Sequence, residues 1–136
     1  MKHYFVDTNV IIDMLADREE FADAASELFD AAGRCEICIH ISSLSYANVY
    51  YIVRRYLGHD KTIESLKALS DYVIILPVTE KVIRQALSSE FNDFEDAIQY
   101  YSAIQDQSVE YLVTRNIKDF KYSKLPVLEP KAYKRI

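Results

Sequence analysis

Short apolar runs alternate with amphipathic stretches along the whole chain, and this alternation restricts the fold more than any other feature. His3–Val6 is the first run, Glu36–Ile41 the second, Tyr72–Leu76 (YVIIL) the third, Tyr111–Thr114 the fourth, and Pro126–Leu128 a shorter fifth. Each has the length of a strand. Between them the period changes. Residues 8–15 read as a short helix. Phe21, Ala24, Ala25, Leu28, Phe29 and Ala32 recur at helical spacing, with Gly33 at the expected C-cap. Ser42 or Ser43 caps a helix to about Leu57, closed by Gly58, and Asp60 opens another through about Ser70. Thr79 caps a helix carrying Val82, Ile83, Ala86 and Leu87. Phe94, Ala97, Ile98, Tyr101 and Ile104 form the last helical stripe. Hairpin signals such as Asn-Gly are missing. Strands joined only through helices predict an α/β domain with a mostly parallel sheet covered on both faces.

The 136 residues suggest one domain, residues 1–136. Half are hydrophobic and 27% are charged, as in soluble proteins that bury a core. No apolar run approaches the roughly 18 residues of a membrane span, and MKHYFVDTN lacks a secretory pattern. A cytoplasmic protein with no membrane contact is expected. Only two glycines, Gly33 and Gly58, are present, which removes any Gly-rich phosphate cradle. Cys35 and Cys38 form a C-x-x-C pair inside a strand-like segment. No second pair completes a zinc set, so packed, reduced thiols are expected. The three histidines, His3, His40 and His59, are scattered, and no histidine cluster is expected at a metal. Residues 115–136 hold seven Lys/Arg and two acids on an otherwise acidic chain. That asymmetry is compatible with nucleic acid binding and equally with a solvated basic tail.

Ligands of parallel α/β sheets bind beyond the carboxyl ends of the strands. Asp7, Thr8 and Asn9 follow the first strand. Ser42 and Ser43 follow the second. Thr114, Arg115, Asn116 and then Asp119 follow the fourth. The helix before the fourth strand opens with Asp93, Glu95 and Asp96. Asp93 and Asp96, at i and i+3, share a helix face. Each acid has an ordinary use: Asp7 and Asp93 as caps, Asp96 as a first-turn acid, Asp119 as a surface charge. Together at one edge they would repel, and a divalent cation resolves that conflict through hard oxygen ligands, waters and substrate phosphates.

Three segments resemble the PIN domain family. FVDTNVIIDML is similar to its opening strand running into Asp-Thr-Asn, DFEDAIQYYSA to its central acidic helix, and YLVTRNIKDF to its later Thr-Arg-Asn/Asp-x-x-Asp-Phe segment. ISSLSYANVYYIVRR resembles the helix after its second strand. The resemblance covers essentially the whole chain. It implies an α/β/α sandwich with a central parallel sheet of four or five strands and an Mg²⁺- or Mn²⁺-dependent ribonuclease. Small bacterial members are commonly VapC-type toxins, held inactive by a cognate antitoxin and often homodimeric. Carried over by position, Asp7, Asp96 and Asp119 are the metal-site and catalytic acids, with Asp93 as an added candidate.

Two positions depart from the family pattern. Asn48 stands where many members carry Glu, and Asn116 where many carry Asp. The expected mechanism is metal-assisted hydrolysis of RNA. Thr8, Asn9, Thr114 and Asn116 orient acids, waters or the phosphate, with Asn48 as a further substrate-side candidate, and Arg115, Lys118 and Lys121 are either RNA-backbone contacts or solvated loop charges. Tyr100 and Tyr101 are candidates for base stacking, with Tyr101 assigned rather to the core. Tyr46, Tyr50 and Tyr51 belong either to the core or to a dimer or antitoxin surface. Two other readings are a PIN-like binding module that has lost catalysis and another Mg²⁺-dependent phosphotransfer enzyme. The second is disfavoured by Asn9, because haloacid-dehalogenase-like phosphatases need Asp-x-Asp there.

Overall fold

The computed structural model describes residues 1–135 and realises the alternation. Strand β1 (Lys2–Val6) leads into helix α1 (Thr8–Leu15) and helix α2 (Ala22–Gly33). Strand β2 (Ile37–Ser42) feeds the long helix α3 (Ser43–Ser70), and strand β3 (Val73–Leu76) is followed by helix α4 (Glu80–Leu87) and helix α5 (Phe94–Ile104). Strand β4 (Tyr111–Val113), a 3₁₀ turn (Ile117–Phe120), strand β5 (Val127–Leu128) and a second 3₁₀ segment (Pro130–Arg135) complete the order. The five strands form one sheet in the order β3-β2-β1-β4-β5, and every pairing is parallel. The order reverses between β1 and β4. A crevice opens at such a reversal, because the connections leaving the two strands run to opposite sides.

Side chains alternate across the sheet. Tyr4 and Val6 of β1 face α1, α2 and α3, packing with Val10, Ile11, Leu28, Phe29 and Val53. Phe5 faces the other side, with Tyr100, Ala103, Leu112 and Phe120. Both faces of β1 are therefore apolar and covered, which is why the strand reads as a continuous apolar run. The result is a three-layer α/β/α sandwich. Among the described residues, no helix is long and apolar enough to cross a membrane.

Three local expectations change. Gly33 is the last residue of α2 and not its left-handed terminator. That conformation falls on Cys35 (φ 60°), where the amides of Cys35 and Glu36 close back on Ala32 and Ala31. This turn leaves Cys35 exposed, so it is not the packed thiol expected; Cys38 is half-buried. The stripe of α5 is also rotated. Phe94 is exposed, whereas Gln99, Tyr100 and Ala103 are buried. Tyr100 stacks near Phe91, and its hydroxyl accepts the Lys124 amide. It is therefore a core residue and not a base-stacking platform. The two helices expected on either side of Gly58 join end to end across a kink at φ 80°, ψ 171°.

That backbone region is essentially closed to residues with a Cβ. Gly58→Ala is expected to destabilise the fold by about 1–3 kcal/mol. Gly33 lies in helical backbone, and a methyl group added there would meet no atom within 4 Å, so Gly33→Ala is expected to stabilise by about 0.4–1 kcal/mol. Urea unfolding midpoints of the two variants must move in opposite directions.

Candidate active site

Asp7 stands where β1 ends and α1 begins, beside the sheet's reversal. Its backbone amide donates to the Val113 carbonyl, which ties the end of β1 to β4. Its side chain caps α1: Oδ1 accepts the Thr8 amide at 2.8 Å. Oδ2 accepts the Thr114 hydroxyl at 2.8 Å. Both oxygens are thus aimed, and the residue is only 5% exposed. Burial pushes its pKa up to about 6 against the pull of those two hydrogen bonds, and the charges of Glu95 and Asp119 add to the rise.

Asp93 is the N-cap of α5, its Oδ1 accepting the Asp96 amide at 3.0 Å. This cap sets the helix entry, and Glu95 and Asp96 of the first turn share a cleft with Asp7, Asn9 and Ile12. Asp96 rises to about 7, chiefly by burial, then by the charges of Asp7, Asp93, Asp119 and Glu95 in that order. Four acids from three separate elements are therefore felt at one carboxyl group. Asp96 lines two adjoining clefts. The first, of about 370 Å³, is lined by Asp7, Asn9, Asn48, Glu95 and Asn116 among others. The second, of about 450 Å³, holds Asp93, Asp119, Lys118 and Lys121.

The hydroxyl of Thr8 faces inward, 2.8 Å from that of Ser45, and Gln99 Nε2 donates to both. This buried knot ties α1, α3 and α5 together beneath the carboxylates. Thr114 Oγ1 also accepts the Asn116 amide, and Asn9 Nδ2 lies 3.4 Å away. Arg115 follows a different course. It grips the buried carboxylate of Asp13 with two nitrogens and lies over the Phe21 ring. It lines neither acidic cleft. Asp7, Asp93, Asp96, Asp119, Asn9, Asn48, Thr114 and Asn116 are brought to this edge; Thr8 supports it from below, and Arg115 braces α1.

Glu95 stands among the acids that open α5 in the sequence, but sequence reasoning does not assign it to the site. Its pKa is raised by burial and by Asp93, while Asn48 Nδ2 donates to its Oε1 at 2.8 Å. Its pairing with Asn48, 47 residues earlier in the chain, is visible only in the structure. The donors here are carboxylate and amide oxygens, the set that suits a hard divalent cation. Asn9 Oδ1 is buried without a partner. Among the described residues, no three carboxylates bring oxygens within 4.8 Å of one another.

The family model described as a PIN domain matches residues 3–118, and the chain belongs to this family. Solved structures of the same fold include a toxin–antitoxin complex from Klebsiella pneumoniae (25% identity, TM-score 0.68, covering 93% of this chain and 97% of that one). VapBC-1 from nontypeable Haemophilus influenzae is 18% identical at TM-score 0.66, covering 94% and 98%. VapC20 from Mycobacterium tuberculosis, described as a Sarcin-Ricin loop cleaving toxin, is 16% identical at TM-score 0.62, covering 80% and 86%. Curated proteins supply no match.

A carboxyl whose folded pKa lies above its unfolded value stabilises the protein only while protonated. The contribution of Asp96 is full below about pH 4 and is lost as pH rises through about 7. In chelator-treated protein, Asp96→Asn is expected to raise the thermal midpoint at pH 7.5, with a gain that shrinks steadily toward pH 4. Thermal scans of both proteins across that range provide the check.

Proposed function

We propose that this chain is a metal-dependent endoribonuclease, the toxin component of a type II toxin–antitoxin pair. The observation that carries the reading is the pair Asp7 and Asp96. Two carboxyls from distant elements, one buried and one half-buried, meet at the reversal of a parallel sheet, and both are held well above the usual carboxylate range. Membership of the PIN domain family supports it, as do the VapC-type structures of the same fold.

In this reading Asp7, Asp96 and Glu95 hold Mg²⁺ or Mn²⁺ directly or through waters, with Asp119 and Asp93 completing the charge from the second cleft. A divalent cation, when bound, supplies Lewis acidity and counter-charge for phosphodiester hydrolysis. The protein's own part is alignment. The Thr8 amide and Thr114 hydroxyl lock both oxygens of Asp7, so no rotamer search precedes binding. The amides of Asn9 and Asn116 offer donors to phosphate oxygens at the cleft wall. Lys118 and Lys121 border the second cleft and neutralise phosphates flanking the cut. Glu95 supplies from α5 the charge that Asn48 does not supply from α3, and Asn48 fixes its orientation. The partner of this reading is an antitoxin; Tyr51 (59% exposed) beside the first cleft and Tyr56 (66% exposed) give α3 a surface for it or for a second copy of the chain.

Purified chain incubated with structured RNA is expected to cut it with Mg²⁺ or Mn²⁺ and not with EDTA. Asp7→Asn and Asp96→Asn remove cleavage while remaining folded. Thr114→Val, which frees Asp7 Oδ2, lowers cleavage about 10–100-fold. Glu95→Gln separates the readings further: unchanged cleavage would exclude the replacement role. If folded wild type binds neither Mg²⁺ nor Mn²⁺ and leaves RNA intact across a broad panel, the binding-module reading takes its place.

A further inference from the structure

The opposite edge of the sheet gathers a different set of donors. In the parallel pairing of β1 with β2, His3 lies opposite Cys38. Residues two apart on a strand share a face, so His40 joins them on the side of the sheet that carries α5. Two of the three histidines that look scattered along the chain are thus neighbours. His3 Nδ1 lies 2.9 Å from His40 Nε2, and Cys38 Sγ lies 3.6 Å from that same nitrogen. The three donor atoms all fall within 4.8 Å of one another, the only such group among the described residues. We propose that His3, Cys38 and His40 form a second metal site, for a borderline-soft divalent ion such as Zn²⁺, distinct in place and in chemistry from the acidic clefts.

Geometry and pairing both favour this. A tetrahedral zinc ion, with bonds of about 2.0–2.1 Å to nitrogen and about 2.3 Å to sulfur, needs nitrogens about 3.3 Å apart and sulfur about 3.6 Å from nitrogen. The Cys38–His40 separation already meets that value, and the two rings need only part by a few tenths of an ångström. A hydrogen bond between the rings accounts for the short nitrogen contact alone. The thiol lies at sulfur hydrogen-bond distance from the same nitrogen, and neither contact gives the buried His40 Nδ1 a hydrogen-bond partner. Ligation through Nε2 puts the ring proton on Nδ1, which faces Asp106 Oδ2 at 3.7 Å. A carboxylate behind a ligating imidazole is the usual support of a metal-bound histidine. Asp106 is itself held by the Ser108 amide and hydroxyl at 2.9 and 2.6 Å.

Nitrogen and sulfur donors select zinc, nickel or copper over magnesium. Binding releases the Cys38 thiol proton to solvent. Three protein ligands would leave a fourth position for water or a further ligand, and His3 and Cys38 are both partly exposed. The ion would clip the start of β1 to the start of β2 and hold the turn that follows α5.

The test uses purified, reduced and chelator-stripped chain, titrated with Co²⁺ in excess Mg²⁺. A thiolate-to-cobalt charge-transfer band with tetrahedral d–d absorption is expected, saturating at one ion per chain and bleaching when Zn²⁺ is added. Cys38→Ser removes the charge-transfer band, whereas Cys35→Ser and Asp96→Asn leave it intact. Asp106→Asn weakens Co²⁺ binding about 10–100-fold. Circular dichroism verifies that each variant is folded. The proposal is overturned if folded wild type gives no such band, if the band survives Cys38→Ser, or if it disappears with Cys35→Ser.

Discussion

The carboxylate of Asp7 has to stay buried at the end of the central strand, and much of the architecture serves that requirement. An unpartnered carboxylate in such a place is costly. Two donors meet it, one from the first turn of α1 and one from the residue after β4. The first donor exists because α1 starts there. The second exists because β4 flanks β1 on the side away from β2 and brings Thr114 beside the end of β1. The helix cap and the candidate ligand are therefore one residue in one geometry. The choice between a capping Asp and a functional Asp, which the sequence alone poses, dissolves, since capping leaves the carboxylate oriented toward the cleft.

Support for that site lies one layer deeper. The Thr8–Ser45–Gln99 knot joins three helices through hydroxyl and amide groups whose partners come from 37 to 91 residues away. Polar groups buried this way specify a single arrangement, because any slip of α5 along α1 leaves them unpaired. The Asp13–Arg115 pair does the same at the other end of α1, tying it to the loop after β4. The guanidinium next to the site in sequence is thereby spent on Asp13. The two edges of the sheet differ in chemistry: oxygen donors gather at the carboxyl ends of the strands, nitrogen and sulfur donors at the amino end of β1 and β2.

The elements were largely legible in the chain. Apolar runs mark the strands and capping residues mark helix starts at Ser42, Thr79 and Asp93, because both signals are local. The acids at Asp7 and Asp96 were legible through their position relative to those elements. What escaped was pairwise. Phe94 opens an apolar stripe yet is exposed, while Gln99 and Tyr100 are buried, since the partner of α5 is decided by the other helices. Glu95 carries no mark of its own until Asn48 is seen across from it. Arg115 looked free for a phosphate until Asp13 claimed it.

Residue order by itself determined the α/β alternation, the parallel connections, and the gathering of Asp7, Thr114 and the start of α5 at one end. Those follow from strand and helix periodicity and from the rule that parallel strands all point one way. Only the tertiary structure decided which charges meet, which are neutralised, and that His3, Cys38 and His40 share a face. The physical reason is strand register. A shift of one residue between β1 and β2 would send His3 to the other side of the sheet, and register is set by the packing of both covered faces, not by the residues that come to lie side by side.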